Sequence, residues 1–173
     1  MENINELTVQ KAKNGDKSAF CELYSFYAKD LYHFAVFYLG NSHDAEDAVQ
    51  NAVLTAYRSI KSLRKNSAFK SWLFKILANC CKEILKKRSK TENYIPWEDV
   101  DFLSADDTAE SRKKYIELYS ALDKLSETDR NIILLSVVGK YKSEEIADMF
   151  NMKAGTVRSR LSRAMEKLRK DLN

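Results

Sequence analysis

The stretch from Ser143 to Arg163 constrains the fold more than any other part of the chain. It reads as a short amphipathic helix, a tight corner and a second helix. Ser143 is a good N-cap, and Glu144 and Glu145 stand in the first turn, where carboxylates meet the positive helix end. Ile146, Ala147 and Phe150 share one face, and Ala147 is small enough for a close helix crossing. Asn151 falls at the corner, and asparagine tolerates the left-handed backbone that a sharp corner needs. Val157, Leu161, Ala164 and Leu168 then recur at i, i+4, i+7 and i+11, which predicts the buried stripe of the second helix. This is the layout of a helix-turn-helix. It leaves Arg158, Ser159, Ser162, Arg163 and Glu166 facing away from the core, with Arg160 on the flank. Arginine can grip a guanine edge with two hydrogen bonds or hold a phosphate, and serine can do either. The plainer reading is the solvated face of an ordinary terminal helix. The capped helix and corner directly upstream weigh against it.

The rest of the chain is helical by the same reasoning. With four glycines and one proline in 173 residues, it is too poor in turn formers for many short strands. The fold class expected is all-α: two small helical domains joined by a flexible linker, the C-terminal one holding the helix-turn-helix. The first block spans 1–88. It carries an early helix with Leu7, Val9 and Ala12 that ends near Gly15, then a long one from about Ser18 to Gly40. A third helix follows Ser42 and Asp44, and a fourth starts near Ser67 and breaks at Lys86-Lys87-Arg88. Residues 89–111 change character. They are acidic, contain Pro96, and read as a linker with a short aromatic contact through Tyr94, Trp97 and Phe102. The second block, 112–173, begins near Arg112 and includes Ser126 and Asp129 as a capping box for the helix before the helix-turn-helix.

Net charge is only +4, so the distribution of charge matters more than its sum. Arg58, Lys61, Arg64, Lys65, Lys70, Lys75, Lys82, Lys86, Lys87 and Arg88 crowd one strip of the first block, and Lys140, Lys142, Lys153, Arg158, Arg160, Arg163, Lys167, Arg169 and Lys170 crowd the second. Basic strips are the footprint of a polyanionic partner. In the first block the strip is interleaved with Phe69, Trp72 and Phe74, a pattern suited to stacking on single-stranded bases. Core packing is the better reading for Phe69, while Trp72 sits at the stripe's edge. Three cysteines (Cys21, Cys80, Cys81), two of them adjacent, argue against a disulfide framework. There is no Cys-x-x-Cys pair, and His33 and His43 lack zinc spacing, so no metal and no cofactor are expected. No eighteen-residue apolar run exists and the first residues lack a secretory pattern. A cytoplasmic protein without membrane insertion is expected. No nucleophile, metal or phosphate-loop constellation suggests an enzyme.

Three ordered motifs carry a family resemblance. Asp44-Ala45-Glu46-Asp47-Ala48-Val49-Gln50 with Ala56-Tyr57-Arg58 resembles the core-binding segment of bacterial sigma factors. Phe69 to Asn79 resembles their segment for reading and opening the promoter −10 element, and Leu122 to Arg169 resembles their −35-reading domain. With only these two blocks and a short linker, the chain is similar to the extracytoplasmic-function group of the sigma-70 family.

That resemblance implies a transcription-initiation role, with residue assignments. Asp47 and Gln50 would face the coiled coil of the polymerase β′ subunit, assisted by Asp44, Glu46 and Leu54. The loop Lys61 to Ala68, including Arg64, Lys65, Asn66 and Ser67, would hold a flipped −10 base, with Trp72, Lys75 and Asn79 beside the non-template strand. Arg158, Ser159, Ser162 and Arg163 would read the −35 edge while Arg160 and Lys153 hold phosphate. Asn51 stands where an acid is frequent, and Lys153 where proline or serine is frequent. The implied partners are core RNA polymerase, promoter DNA in double- and single-stranded form, and an anti-sigma factor. About twenty extended linker residues reach up to about 70 Å, close to two turns of B-DNA at ~34–36 Å each. The competing reading is a one-component regulator that binds DNA through the helix-turn-helix and senses a ligand with its N-terminal helices.

Overall fold

In the computed structural model, residues 6–88 and 109–172 are described, and among them every regular element is helical. The first block holds α1 (Glu6–Lys13), α2 (Lys17–Leu39), α3 (Ser42–Ser59) and α4 (Phe69–Arg88), with 3-10 turns at Ile60–Ser62 and Asn66–Ala68 between the last two. The second holds α5 (Ala109–Asp123), α6 (Glu127–Val137), α7 (Ser143–Phe150) and α8 (Ala154–Asp171). Helix α5 therefore begins three residues before the expected Arg112. The expected contact through Tyr94, Trp97 and Phe102 lies outside the described residues.

Local chemistry sets the boundaries. The Asp16 carboxylate accepts the Ala19 N–H at 3.0 Å to start α2, and the Asn41 side-chain oxygen accepts the Asp44 N–H at 2.7 Å to start α3. Each satisfies a backbone donor that the first helical turn leaves unpaired. Ser126 Oγ does the same for the Asp129 N–H at 3.2 Å, and its own hydroxyl donates to Asp129 Oδ2 at 2.7 Å. The N-cap of α7 differs from expectation. It is Lys142, whose backbone N–H is taken by the Glu145 carboxylate at 2.7 Å, so Ser143 is already inside the helix.

Helix α2 is the spine of the first block. Leu23, Tyr27, Leu31, Phe34 and Tyr38 are buried along one side, and α1, α3 and α4 pack around it. Phe34 meets Phe74 of α4 edge-on with centroids 5.8 Å apart. Fully burying a side chain of this size stabilises by about 1.5–3 kcal/mol. The second block rests mainly on aliphatics, among them Leu122, Ile132, Leu135, Ile146 and Val157, with Tyr119 and Tyr141 also buried.

The two blocks also pack against each other, which the expectation of two tethered lobes did not include. Helices α5 and α6 lie on α2, and α7 lies on α4. Phe74 meets Tyr141 edge-on at 5.6 Å, and Phe37 lies 5.9 Å from Tyr115. Lys70 Nζ donates to the Gly139 carbonyl at 2.7 Å and sits 4.4 Å from the Tyr141 ring centroid. Arg130, 5% exposed, is held in the seam. Its guanidinium lies 5.5 Å from the Tyr38 ring centroid and donates to the carbonyls of Leu122, Tyr38 and Asp123 and to the Asp123 carboxylate. A buried guanidinium is tolerable only with its donors occupied in this way. Gly40 closes α2 with φ +66, and a Cβ there would stand 2.5 Å from the Tyr119 ring. Glycine is thus required twice, by the left-handed cap and by the approach of the second block.

Candidate nucleic-acid interface

The helix-turn-helix is formed by α7 and α8. Asn151 adopts the left-handed conformation (φ 53, ψ 48), its N–H returns to Ala147 O, and Met152 N–H reaches the same carbonyl at 2.8 Å. Carbonyls orphaned at the end of α7 are satisfied this way, so the corner is sharp and firm. Ile146, Ala147 and Met149 are buried from α7, and Val157, Ala164 and Leu168 from α8. Leu161 and Phe150, expected in the core, are only half-buried, and Met149 takes a core place that periodicity did not assign.

On the outer face of α8, Arg158, Ser159, Ser162 and Arg163 are all exposed, with Lys153 exposed at its N-cap position. Arg158 Nη1 pairs with Glu144 Oε1 at 2.7 Å, both side chains being about 60% exposed (60% and 63%). Such a pair is worth about 0.2–1 kcal/mol and exchanges readily for another acceptor. Arg160 is placed differently. Its Nε donates to Asp129 Oδ1 at 2.9 Å and its Nη2 to Ser126 Oγ at 3.3 Å, tying α8 to the N-cap of α6. Arg163 Nε returns to Ser159 O at 3.3 Å.

In the first block, the loop from Leu63 to Ala68 and the start of α4 form one wall of an open cleft of about 440 Å³. Arg64, Lys65 and Ser67 are exposed on the loop. Asn66 braces it: its amide nitrogen donates to Gln10 Oε1 at 3.0 Å, and its oxygen accepts from Lys13 Nζ at 3.2 Å. Lys13 Nζ also reaches Leu63 O at 2.8 Å, so α1 fixes the loop's shape. Phe69 and Phe74 are core residues, leaving Trp72 as the aromatic of the triplet at the cleft. Trp72 is half-buried against Phe69 with centroids 6.1 Å apart. Lys75 and Asn79 follow on the same side of α4, both exposed. Lys70, read with the basic strip, is turned to the interblock seam, where burial lowers its pKa from the usual 10.5.

The acidic helix α3 separates its carboxylates. Glu46, Asp47 and Gln50 are exposed, and Leu54 is 51% exposed one turn further along. Asp47, Gln50 and Leu54 at i, i+3 and i+7 therefore make one outward stripe. Asp44 is set apart from it. It is half-buried and paired with Arg88, which also donates to Leu39 O at 2.7 Å and fastens the end of α4 to the α2–α3 corner. Sequence reasoning had no signal for that pairing. Among the described residues, no group of histidines, cysteines and carboxylates is arranged to hold a metal, and no helix is long and apolar enough to cross a membrane.

Residues 23–91 match the model of Sigma-70 region 2, and residues 115–168 match that of Sigma-70 region 4. The chain is 32% identical to the RNA polymerase sigma factor SigV of Bacillus subtilis, across 92% of this chain and 94% of that protein. It is 34% identical to the ECF RNA polymerase sigma factor SigM of Mycobacterium tuberculosis, across 89% and 77%. It is also 28% identical to the ECF RNA polymerase sigma factor SigW of Bacillus subtilis, across 99% and 98%. Among solved structures, the fold is similar to CnrH in complex with the cytosolic domain of CnrY (TM-score 0.75, 21% identity, 95% of this chain and 94% of that one). It is likewise similar to the sigma factor RpoE in complex with the anti-sigma factor NepR from Bartonella quintana (TM-score 0.72, 25% identity, 88% and 96%).

Proposed function

This chain belongs to the extracytoplasmic-function group of the sigma-70 family, and from that premise we propose how its parts divide the work of directing core RNA polymerase to promoters. The block 1–88 docks on polymerase and captures the −10 element, and the block 112–173 positions the complex through the −35 element. The linker, expected at 89–111 but shortened by the start of α5 at Ala109, connects them. Catalysis belongs to the polymerase; this chain supplies selection.

The observation that carries this reading is the outer face of α8. Arg158, Ser159, Ser162 and Arg163 are exposed on a helix held at a fixed angle by the Asn151 corner. A recognition helix of this kind reads base edges in the major groove while neighbouring contacts to phosphate set its register. Lys153 is suited to phosphate from its place at the helix start. Arg160 adds charge from a position already anchored to Asp129.

At the −10 element, Arg64 and Lys65 attract the backbone of the non-template strand while Trp72 offers a stacking surface beside Lys75, with Asn79 a turn further along α4, outside the cleft. Extruding a base costs a few kcal/mol, and stacking returns about 1–3 kcal/mol per base. Asn66 and Ser67 belong to the same loop, with Asn66 holding its shape through α1. The stripe Asp47, Gln50 and Leu54, flanked by Glu46, meets the β′ coiled coil, and Asp44 supports it through Arg88. The protein acts in the cytoplasm, where its polymerase is, and an anti-sigma factor is a partner by analogy with the Bartonella complex.

In vitro transcription with purified core polymerase on a promoter library tests the proposal. Initiation from a subset of promoters sharing two spaced elements, only when this chain is present, is the expected result. No stimulation, together with tight specific DNA binding by the free protein, would replace it with the ligand-sensing regulator.

A further inference from the structure

The loop that carries Arg64 and Lys65 is held from outside itself. Its own backbone forms a short turn at each end: Leu63 N–H donates to Ile60 O and Ala68 N–H to Lys65 O, both at 3.1 Å. Neither 3-10 turn has a side-chain cap, and Arg64 lies between the two, outside both. Helix α1 bridges that gap. Lys13 Nζ donates to Leu63 O at 2.8 Å and to Asn66 Oδ1 at 3.2 Å, so one ammonium ties the residues on either side of the Arg64-Lys65 pair. Asn66 completes the tie. Its oxygen faces the ammonium, so its amide nitrogen turns to Gln10 Oε1 at 3.0 Å, and Gln10 Nε2 donates in turn to Asn14 Oδ1 at 3.1 Å. An ammonium can only donate, and this fixes the orientation of both amides.

The helix that does the holding is anchored in its turn, by burial of Val9 and Ala12 and by packing on α2. It also lies outside residues 23–91, the stretch that matches Sigma-70 region 2, so the match does not account for its contacts on the loop.

We propose that Lys13, assisted by Gln10, is a positioning residue for base selection at the −10 element: α1 presets the arc from Leu63 to Asn66, and the captured base meets a loop of fixed shape. A slack loop re-forms around whichever base arrives, and surfaces that re-pack discriminate poorly. A preset loop cannot adapt, so a base of the wrong outline leaves polar groups unpaired. The preset loop also has less freedom to lose when the strand arrives, which favours capture. Neither acceptor of Lys13 carries a charge, so its ammonium adds to the attraction of Arg64 and Lys65 for phosphate, an effect blind to base identity. This role rests on the assignment of the loop to the −10 strand and supplies what sets the loop's selectivity.

The test is in vitro transcription by core polymerase with the full chain, on a promoter library whose −10 element is randomised one position at a time. Lys13→Met keeps the length of the side chain and removes its donors and its charge. Lys11→Met makes the same change in charge on the same helix, about 200° around the axis, where Lys11 is exposed. Lys13→Met should lower discrimination between best and worst base at one −10 position by at least about fivefold, with −35 discrimination within about twofold of wild type. Lys11→Met should leave both within about twofold. A uniform loss over all −10 sequences in Lys13→Met, or equal effects of the two variants, would overturn the proposal, because charge alone would explain them. The free chain gives the second readout. Amide NMR order parameters of Arg64 and Lys65 should fall from about 0.85 to below about 0.6 in Lys13→Met, and unchanged values would also overturn it. If Lys13→Met does not fold, the exposed Gln10→Ala takes its place: a drop of at least about twofold in −10 discrimination is expected, and a smaller one rejects the role. Arg64→Ala/Lys65→Ala separates the two levels. If that variant leaves the −10 profile unchanged, the loop is not the −10 reader and both readings fall. If it alters the profile while Lys13→Met does not, only the role of Lys13 falls.

Discussion

In the first block the cations beside the cleft, Arg64, Lys65 and Lys75, are exposed on a braced loop and on one face of α4. In the second, Arg158 and Arg160 both begin in contact with carboxylates, Glu144 and Asp129. The cores differ in degree: Phe20, Tyr27, Phe34, Tyr38, Phe69 and Phe74 join the aliphatics of the first, while Tyr119 and Tyr141 are the buried rings of the second. These differences match the shapes of the two proposed targets. Duplex DNA is stiff, so its reader must present side chains at a set angle; the Asn151 corner and the Arg160–Asp129 pair hold α8, while the exposed Arg158–Glu144 pair is free to exchange for another acceptor. A single strand is pliable. A cleft with one aromatic edge and long cationic side chains can gather it without a preset geometry.

The strongest challenge to this contrast is removal of an aromatic that serves both blocks. Phe74→Ala deletes a fully buried ring that touches Phe34 and Tyr141. A loss of about 3–5 kcal/mol in urea unfolding is expected. A loss under about 1 kcal/mol would mean that the seam and the aromatic core contribute little.

Next in size is Asp47→Lys, which reverses charge at the N-terminal end of the exposed α3 stripe. Core-polymerase affinity should fall about a hundredfold, or ~2.7 kcal/mol, with the unfolding midpoint unchanged. Wild-type co-purification with core would remove the stripe from the docking surface.

The arginine pair sharpens the comparison within α8. Arg158→Ala should cost about 1–3 kcal/mol of discrimination at one −35 base pair and leave thermal stability as it is, since its ion pair is exposed. Arg160→Ala should do the reverse. It takes a partner from Asp129 and Ser126, lowers stability by up to about 1 kcal/mol, and weakens DNA binding evenly across sequences. Base-specific loss in the second variant, read from a promoter library, would merge the two roles.

The smallest expected effect is on pH dependence. His33 has its pKa lowered from the usual 6.5, first by burial, then by Lys29, with Asp30 acting in the opposite sense. A base with a depressed folded pKa binds fewer protons folded than unfolded, so stability rises with pH in the interval between the two values. On acidification, a small loss therefore begins near the usual value of 6.5 and levels off below the folded pKa. His33→Gln should flatten that step in a series of thermal melts; an unchanged step would assign it to other groups.

Much of this molecule was readable from short-range chemistry. The start of α6 and the left-handed Asn151 follow from residues within a turn of one another, where sequence spacing is spatial spacing. Helix α3 starts earlier than the expected place after Ser42 and Asp44, because the Asn41 side chain takes the Asp44 N–H and caps it. The outward stripe Asp47, Gln50 and Leu54 follows from the same helical period. The cap of α7 was misplaced by one residue because the Glu145 carboxylate competes with Ser143 for that role, using the backbone N–H of Lys142.

What only the tertiary structure decided is the set of partners drawn from distant parts of the chain. Arg130 on Tyr38, Lys70 on Gly139, Arg160 on Asp129 and Arg88 on Asp44 each join residues far apart in the chain. Periodicity tells that a cation lies off the buried stripe of its own helix, but not which other helix will arrive beside it. The helices and their corner were therefore written in the order of residues. The seam between the blocks came from packing, because a charge or ring exchanges water for a partner only where the folded chain brings one within reach.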